Sequence, residues 1–365
     1  MKKNTKQALK TSFSRLLLKW NQQENTRQMP WKGEKDPYKI WLSEIILQQT
    51  RVEQGLNYYN NFVKEFPNVH KLAKAPETAV FKLWEGLGYY SRCRNLLFTA
   101  GYISKELKGH FPDNYDEIKA LKGIGPYTAA AISSFAFNLP HAVVDGNVFR
   151  VLARVFGIST AIDSTEGKKE FTNLAEELLD RKQPGMYNQA IMDFGAVICK
   201  PAAPLCDTCV FKKSCDAFLH NQVNELPVKE KKINVRKRWF YYLVLENKKE
   251  TAIRKRVEKD IWQGLYEFPL IEVGNELDTK TIIRELEKKK WLLKNAYELI
   301  SVSPLFKQQL SHQLIAGQFI KIRVKNKPSI KNDWLWMEKE EMAAHAFPQF
   351  INQYLREKNG QQTLF

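Results

Sequence analysis

From Pro30 to about Cys215 the apolar residues recur mainly with a period of 3.6, which lays them along one face of successive helices. Ahead of that stretch Leu9, Phe13, Leu17 and Trp20 keep the same spacing, so an amphipathic helix over Met1–Trp20 is expected to dock on the fold. Ile40 to Thr50 is helical by pattern, and the alanines after Pro126 should propagate a helix well. Beyond residue 238 the pattern changes: Trp239-Phe-Tyr-Tyr-Leu-Val-Leu245 is dense in aromatic and β-branched residues, a strand signal. The rest mixes such strands with one charged helix, Thr279 to about Lys290. Between the two regimes lies Val228–Arg238, a basic stretch poor in core residues that reads as a linker. The expected organisation is a helical domain over 1–227, a linker over 228–238 and an α+β domain over 239–365.

Composition adds a partner. A chain of 365 residues with a formal charge of +17 is built to meet a polyanion, nucleic acid before an anionic membrane surface. No apolar run approaches the ~20 residues of a spanning helix. No signal-peptide core appears at the start, so a cytoplasmic protein without membrane attachment is expected.

Cys199, Cys206, Cys209 and Cys215 form a C-x6-C-x2-C-x5-C knot around a basic loop, Val210–Ser214. Four thiolates in one turn-rich segment can hold an iron–sulfur cluster, and they can equally hold zinc; spacing leaves the two comparable. Disulfides fit less well, because Cys93 stands alone and nothing points to secretion. A second motif is Leu121-Lys-Gly-Ile-Gly-Pro-Tyr-Thr-Ala-Ala-Ala-Ile132. Gly123 and Gly125 allow a close backbone approach, Pro126 suits a helix start, and the amides there can hold a phosphate with Lys122 alongside. An ordinary helical hairpin with glycine caps explains the same residues.

Two carboxylates stand out. Glu44 shares a helix face with Ile40 and Leu47, so burial should push its pKa upward, as a general acid requires. The plainer alternative puts Glu44 at the edge of the stripe, in reach of water. Asp145 should N-cap the helix that ends at Gly157, and the cap should lower its pKa. One carboxyl kept protonated and one kept ionised are what cleavage of a glycosidic bond uses.

These stretches, with Met29–Trp31, Asp36–Thr50, Leu83–Arg92, Val144–Asn147 and Tyr187–Gly195, resemble the MutY-type adenine-DNA glycosylases of the endonuclease III superfamily. The resemblance implies a mainly α helix–hairpin–helix glycosylase fold with an iron–sulfur cluster segment over 199–215, and it favours a 4Fe–4S cluster on the four cysteines over zinc. It implies Glu44 as the acid that protonates a flipped adenine, Asp145 as the support for the sugar cation, and Asn147 as a partner there. Trp31, Leu47 and Gln189 resemble lining of the base pocket. Gln49, Thr50, Leu87 and Tyr89 resemble residues that wedge into the base stack, and Lys122, Gly123 and Gly125 the backbone grip. Where the lyase branch carries a lysine, this chain has Tyr127, which cannot form a Schiff base, so a monofunctional glycosylase is expected.

The C-terminal half resembles the Nudix-like domain with which that family reads oxidised guanine. Ile261–Pro269 carries the likeness, and Ser311 and His312 align with its lesion-reading loop, where Leu310 replaces a phenylalanine. Arg284-Glu-Leu-Glu-Lys-Lys289 has lysines where a Nudix hydrolase needs carboxylates, which disfavours pyrophosphatase activity. The implied substrate is duplex DNA with adenine opposite 8-oxoguanine or guanine, met by a nucleoid-associated monomer. Two rivals are a bifunctional glycosylase/lyase, opposed by Tyr127, and a non-enzymatic cluster-bearing redox sensor, which would have no use for a buried acid at Glu44.

Overall fold

The computed structural model describes residues 3–230, 234–328 and 334–358, so residues 231–233 of the linker and 359–365 of the C-terminal domain lie outside it. The chain forms two compact units, one of Met1–Lys74 with Asn95–Lys231, the other of Ala75–Arg94 with Lys232–Phe365. Among the described residues no helix is long and apolar enough to cross a membrane.

The first unit is helical. It contains α1 (Lys3–Gln23), α2 (Pro37–Leu47), α3 (Val52–Glu65) and α4 (Val69–Lys74). The short α5 (Glu77–Trp84) belongs to the second unit, and the division falls within α6 (Tyr90–Lys105). Next in the first unit come α7 (Tyr115–Ala120), α8 (Pro126–Phe137), α9 (Gly146–Phe156), α10 (Thr165–Leu178), α11 (Pro184–Val197) and α12 (Asp216–Leu219). As the spacing predicts, Leu9, Phe13, Leu17 and Trp20 of α1 are all buried. Phe13 stacks on Phe211 of the cysteine segment at 4.7 Å, and Trp20 meets Phe194 of α11 edge-on at 4.9 Å. α8 packs against α2, α7 and α11, which puts it at the centre of the helical unit.

The second unit carries a sheet. Its strands are β1 (Arg236–Asn247), β2 (Glu250–Lys255), β3 (Tyr266–Glu267), β4 (Leu270–Val273), β5 (Tyr297–Val302), β6 (Phe306–Gln309), β7 (Gln313–Val324) and β8 (Leu335–Glu338). Its helices are α13 (Thr279–Lys288), α14 (Lys339–Met342) and α15 (Gln349–Lys358). The order β3-β2-β1-β7-β5 has β4 on β1, β6 on β7 and β8 on β2. The long central pair β1–β7 is parallel, from Arg236 opposite Gln313 to Glu246 opposite Arg323. This is the α+β, Nudix-like architecture expected from the sequence.

β1 begins at Arg236, inside the stretch whose charge suggests a linker. The reason is Arg238, which is buried with its guanidinium bonded to Asp260 at 2.9 and 2.6 Å and to Glu272 at 2.6 Å from each of two nitrogens. Its charge is neutralised by partners distant in sequence, so it does not mark solvent. α15 has no counterpart in the sequence reading either; Phe350, Ile351 and Tyr354 bury it, and Tyr354 stacks on Phe319 of β7 at 4.1 Å.

Gly317 of β7 lies opposite Phe240 of β1, and a Cβ there would come within 1.8 Å of the Phe240 carbonyl oxygen. Gly317→Ala is expected to destabilise the sheet by about 2–4 kcal/mol, because backbone must move to admit the methyl group. Thermal unfolding checks this: a variant that melts with the wild type would mean the two strands part without cost.

Candidate active site

α2 begins on Asp36, whose carboxylate accepts the Tyr38 N–H at 2.9 Å, with Pro37 in the first turn. The helix stops at Leu47 rather than running to Thr50. Gln49 turns to φ +56° and the Thr50 N–H closes on the Leu47 carbonyl at 3.1 Å. No glycine or proline marks that reversal, so the apolar pattern alone overruns it. Ile40, Ser43 and Glu44 on α2 line a cavity of about 300 Å³, together with Trp31, Phe135 and Gln189. Trp31 stands edge-on to Tyr59 at 5.3 Å. Leu47 is not among the lining residues.

Glu44 is 8% exposed, so it is buried in the cavity wall and not at a wet edge. Burial pushes its pKa up to about 7, an accepted hydrogen bond from Tyr127 pulls it down, and the charge of Asp145 raises it further. Tyr127, in the first turn of α8, donates its hydroxyl to Glu44 and has the Met192 Sδ at 3.4 Å as a second acceptor. Burial pushes the phenol's pKa upward, and the charges of both carboxyls push it further. Three groups from α2, α8 and α9 therefore meet at one place.

Asp145 is the N-cap of α9, accepting the Val148 N–H at 2.8 Å, as its position before that helix predicts. The expectation of a lowered pKa fails. Burial outweighs the cap and the hydrogen bonds from Asn147 and raises the Asp145 pKa above its ordinary value. Asn147 donates to Asp145 Oδ2 at 2.7 Å and accepts from Arg150 at 2.8 Å, which fixes its amide. Arg150 also donates to the Cys199 carbonyl at 2.7 Å and the Gly195 carbonyl at 2.6 Å. A Cβ on Gly195 would lie 2.6 Å from the Asn147 Cβ, so α11 presses directly behind Asn147.

Sequence reasoning missed Asp193. It lies four residues after Gln189 on α11, a spacing visible in the chain, but its pairing with Arg27 and Lys32 is not.

The hairpin between α7 and α8 forms as its residues dictate. Gly123 takes φ +84° with the Asn95 side chain close enough to exclude a Cβ, Gly125 caps α8, and Ile124 turns inward. Lys122 is exposed above the Phe98 ring at 4.1 Å. Gln49 is exposed and Thr50 half-buried at the end of α2.

Cys199, Cys206, Cys209 and Cys215 are free thiols, and the other three each act electrostatically on Cys209, so the four gather in one segment. The Arg154 guanidinium donates to Cys199 Sγ at 3.5 Å and the Phe211 N–H to Cys209 Sγ at 3.4 Å. N–H donors aimed at two of the four sulfurs suit a thiolate-bound group. Among the described residues no three His, Cys, Asp or Glu side chains are disposed to hold a metal ion.

In the second unit a cavity of about 530 Å³ is lined by Leu87, Tyr89, Trp262, Ser311, His312 and neighbouring residues. Ser311 and His312 sit at the exposed tip of the β6–β7 hairpin, closed by the Leu310 N–H on the Gln313 carbonyl at 2.7 Å. The Tyr89 hydroxyl is hydrogen-bonded to the Ser311 hydroxyl. Tyr89 is exposed at φ +46°, whereas Leu87 is 5% exposed and points away from water.

Residues 42–180 match the family described as HhH-GPD superfamily base excision DNA repair protein, and residues 240–357 match the NUDIX domain. The adenine DNA glycosylase of Buchnera aphidicola subsp. Baizongia pistaciae is 36% identical over 303 residues, covering 82% of this chain and 83% of that protein. The human adenine DNA glycosylase is 41% identical over 216 residues, 57% of this chain and 39% of that one. A thermostable thymine-DNA glycosylase superposes with a TM-score of 0.55 at 29% identity, over 59% of this chain and 99% of that structure. A trapped endonuclease III–DNA covalent intermediate gives 0.51 at 18% identity over 58% and 98%, a likeness of fold alone. With a buried acid on α2, a glycine hairpin before α8 and a C-terminal NUDIX domain all in one chain, this protein belongs to the adenine DNA glycosylase family.

Proposed function

We propose that this protein excises adenine mispaired with 8-oxoguanine or guanine in duplex DNA and leaves an abasic site without cutting the strand. The observation that carries the reading is a buried Glu44 in the wall of a cavity of about 300 Å³, hydrogen-bonded by Tyr127 and near enough to Asp145 to feel its charge. The basic surface captures the backbone, with Lys122, Gly123 and Gly125 at one phosphate. Gln49 and Thr50 enter the gap that extrusion leaves; Tyr89 is exposed to meet DNA, whereas Leu87 is buried. Adenine enters between Trp31 and Gln189, which both line the cavity. Glu44 carries a proton near neutral pH and gives it to the departing base; Asp145, oriented by Asn147, faces the cation that forms on the sugar.

Tyr127 supports the monofunctional reading: it holds the Glu44 carboxyl, and a phenol offers no amine for a Schiff base. Ser311 and His312 read the opposite base. The chain divides into a glycosylase domain over 1–227, a linker from 228 whose last residues, Arg236–Arg238, enter β1, and a lesion-reading domain running on from there, working as a monomer on the nucleoid in the cytoplasm. Cys199, Cys206, Cys209 and Cys215 would hold a 4Fe–4S cluster, which would brace the segment that meets DNA.

Glu44→Gln is expected to slow base release by about 10²–10⁴-fold while DNA binding persists. In the wild type the active form of Glu44 is protonated, so single-turnover release should fall as pH rises through about 7. A flat profile from pH 6 to about 9 would remove Glu44 as the acid. On a duplex with adenine opposite 8-oxoguanine, strand breaks should appear only after hot alkali; breaks without alkali would revive the lyase reading. Analysis of the purified protein should find iron and acid-labile sulfide in equal amounts, and zinc in their place would overturn the cluster.

A further inference from the structure

Gln189 and Asp193 stand one turn apart on α11, and Gln189 lines the cavity. Asp193 is 0% exposed, and its hydrogen-bond partners are all donors. Its Oδ1 takes Arg27 Nη1 at 2.9 Å and Gln189 Nε2 at 3.0 Å. Its Oδ2 takes Asn25 Nδ2 at 2.9 Å and Lys32 Nζ at 3.1 Å.

Which end of an amide is nitrogen is ordinarily a matter of assignment. Here the chemistry decides it. A carboxylate flanked by a guanidinium and an ammonium accepts hydrogen bonds and offers none, so only the –NH2 of Gln189 can face it. The carbonyl Oε1 is left for the cavity. Turning the amide over would set its oxygen against a buried carboxylate and strand the donor, a doubly unfavourable exchange.

We propose that Asp193 is a positioning residue that makes Gln189 a hydrogen-bond acceptor in the base cavity, selecting purines with an amine at C6 over those with an oxygen there. The inference rests on the cavity being the base pocket. A 6-amino purine offers Oε1 an N–H, whereas a 6-oxo purine opposes it with another acceptor. Rejection is strong because Gln189 cannot rotate to suit the wrong base while Asp193 holds its nitrogen.

The test compares single-turnover release of adenine and of hypoxanthine from one duplex context, in wild type and Asp193→Asn. Asparagine can present oxygen or nitrogen, so it frees Gln189 to turn. The adenine-to-hypoxanthine rate ratio is expected to fall about tenfold. An equal loss on both bases is what a purely structural role gives, and it would overturn the proposal. Arg27 and Lys32 lose their counter-ion in this variant, so a second background guards against damage to the fold. In Gln189→Met the ratio should already be low, and adding Asp193→Asn should leave it there; a further drop would show Asp193 acting by another route. Equilibrium binding of free adenine and free hypoxanthine to the full chain reads the preference without turnover. Preference for free adenine with no base release from DNA would sink the glycosylase reading and leave this inference standing, whereas equal binding of the two bases would sink the inference alone.

Discussion

A carboxyl group taken out of water resists ionisation, and α2, α8 and α9 are disposed so that Glu44 is out of water beside a second carboxyl. Several features of the helical unit keep that group buried. α2 must be apolar around it, which is why Ile40, Trp41, Ile45 and Ile46 are buried on the same helix. α8 must start where it does, so that Tyr127 delivers its hydroxyl to the carboxyl, and the glycine hairpin fixes that start. α9 must start at Asp145, and the cap that begins the helix also orients the second acid.

Charge is buried elsewhere on the same terms, only where partners surround it. Asp193 collects four donors, and Glu267, 0% exposed, is held by Arg254 and Arg256. Arg238 is the mirror case, a cation enclosed by Asp260 and Glu272. Such groups add little net stability over a well-packed apolar core, yet removing one partner leaves an uncompensated charge. Their use is directional: Asp193 holds one end of Gln189, and Arg238 ties β1 to the loop bearing Trp262 and, through Gln313 at 2.9 Å, to the hairpin bearing Ser311 and His312.

The C-terminal unit keeps the architecture of a NUDIX domain, and its α13 ends on Lys288 and Lys289 rather than on carboxylates. What the sheet presents instead is a hairpin tip, Leu310–His312, beside Tyr89 at the rim of a roomy cavity. Leu310 brings apolar area there without an aromatic ring to stack.

Much of this was legible along the chain because the signals are local. Helical spacing placed α1, the cap residue Asp145 marked a helix start, Gly123 to Pro126 marked the hairpin, and the cysteines marked their own segment. Each depends on residues within a few positions, so neighbours in sequence suffice. Only the tertiary structure decided the features whose partners lie far apart in the chain. The burial that raises Asp145 against its own cap comes from elements packed around it, and three of the four donors on Asp193 arrive from Asn25, Arg27 and Lys32. The parallel pairing of β1 with β7 joins residues on either side of α13. Desolvation and long-range pairing are properties of a residue's surroundings in space, and a linear pattern records only its neighbours along the chain.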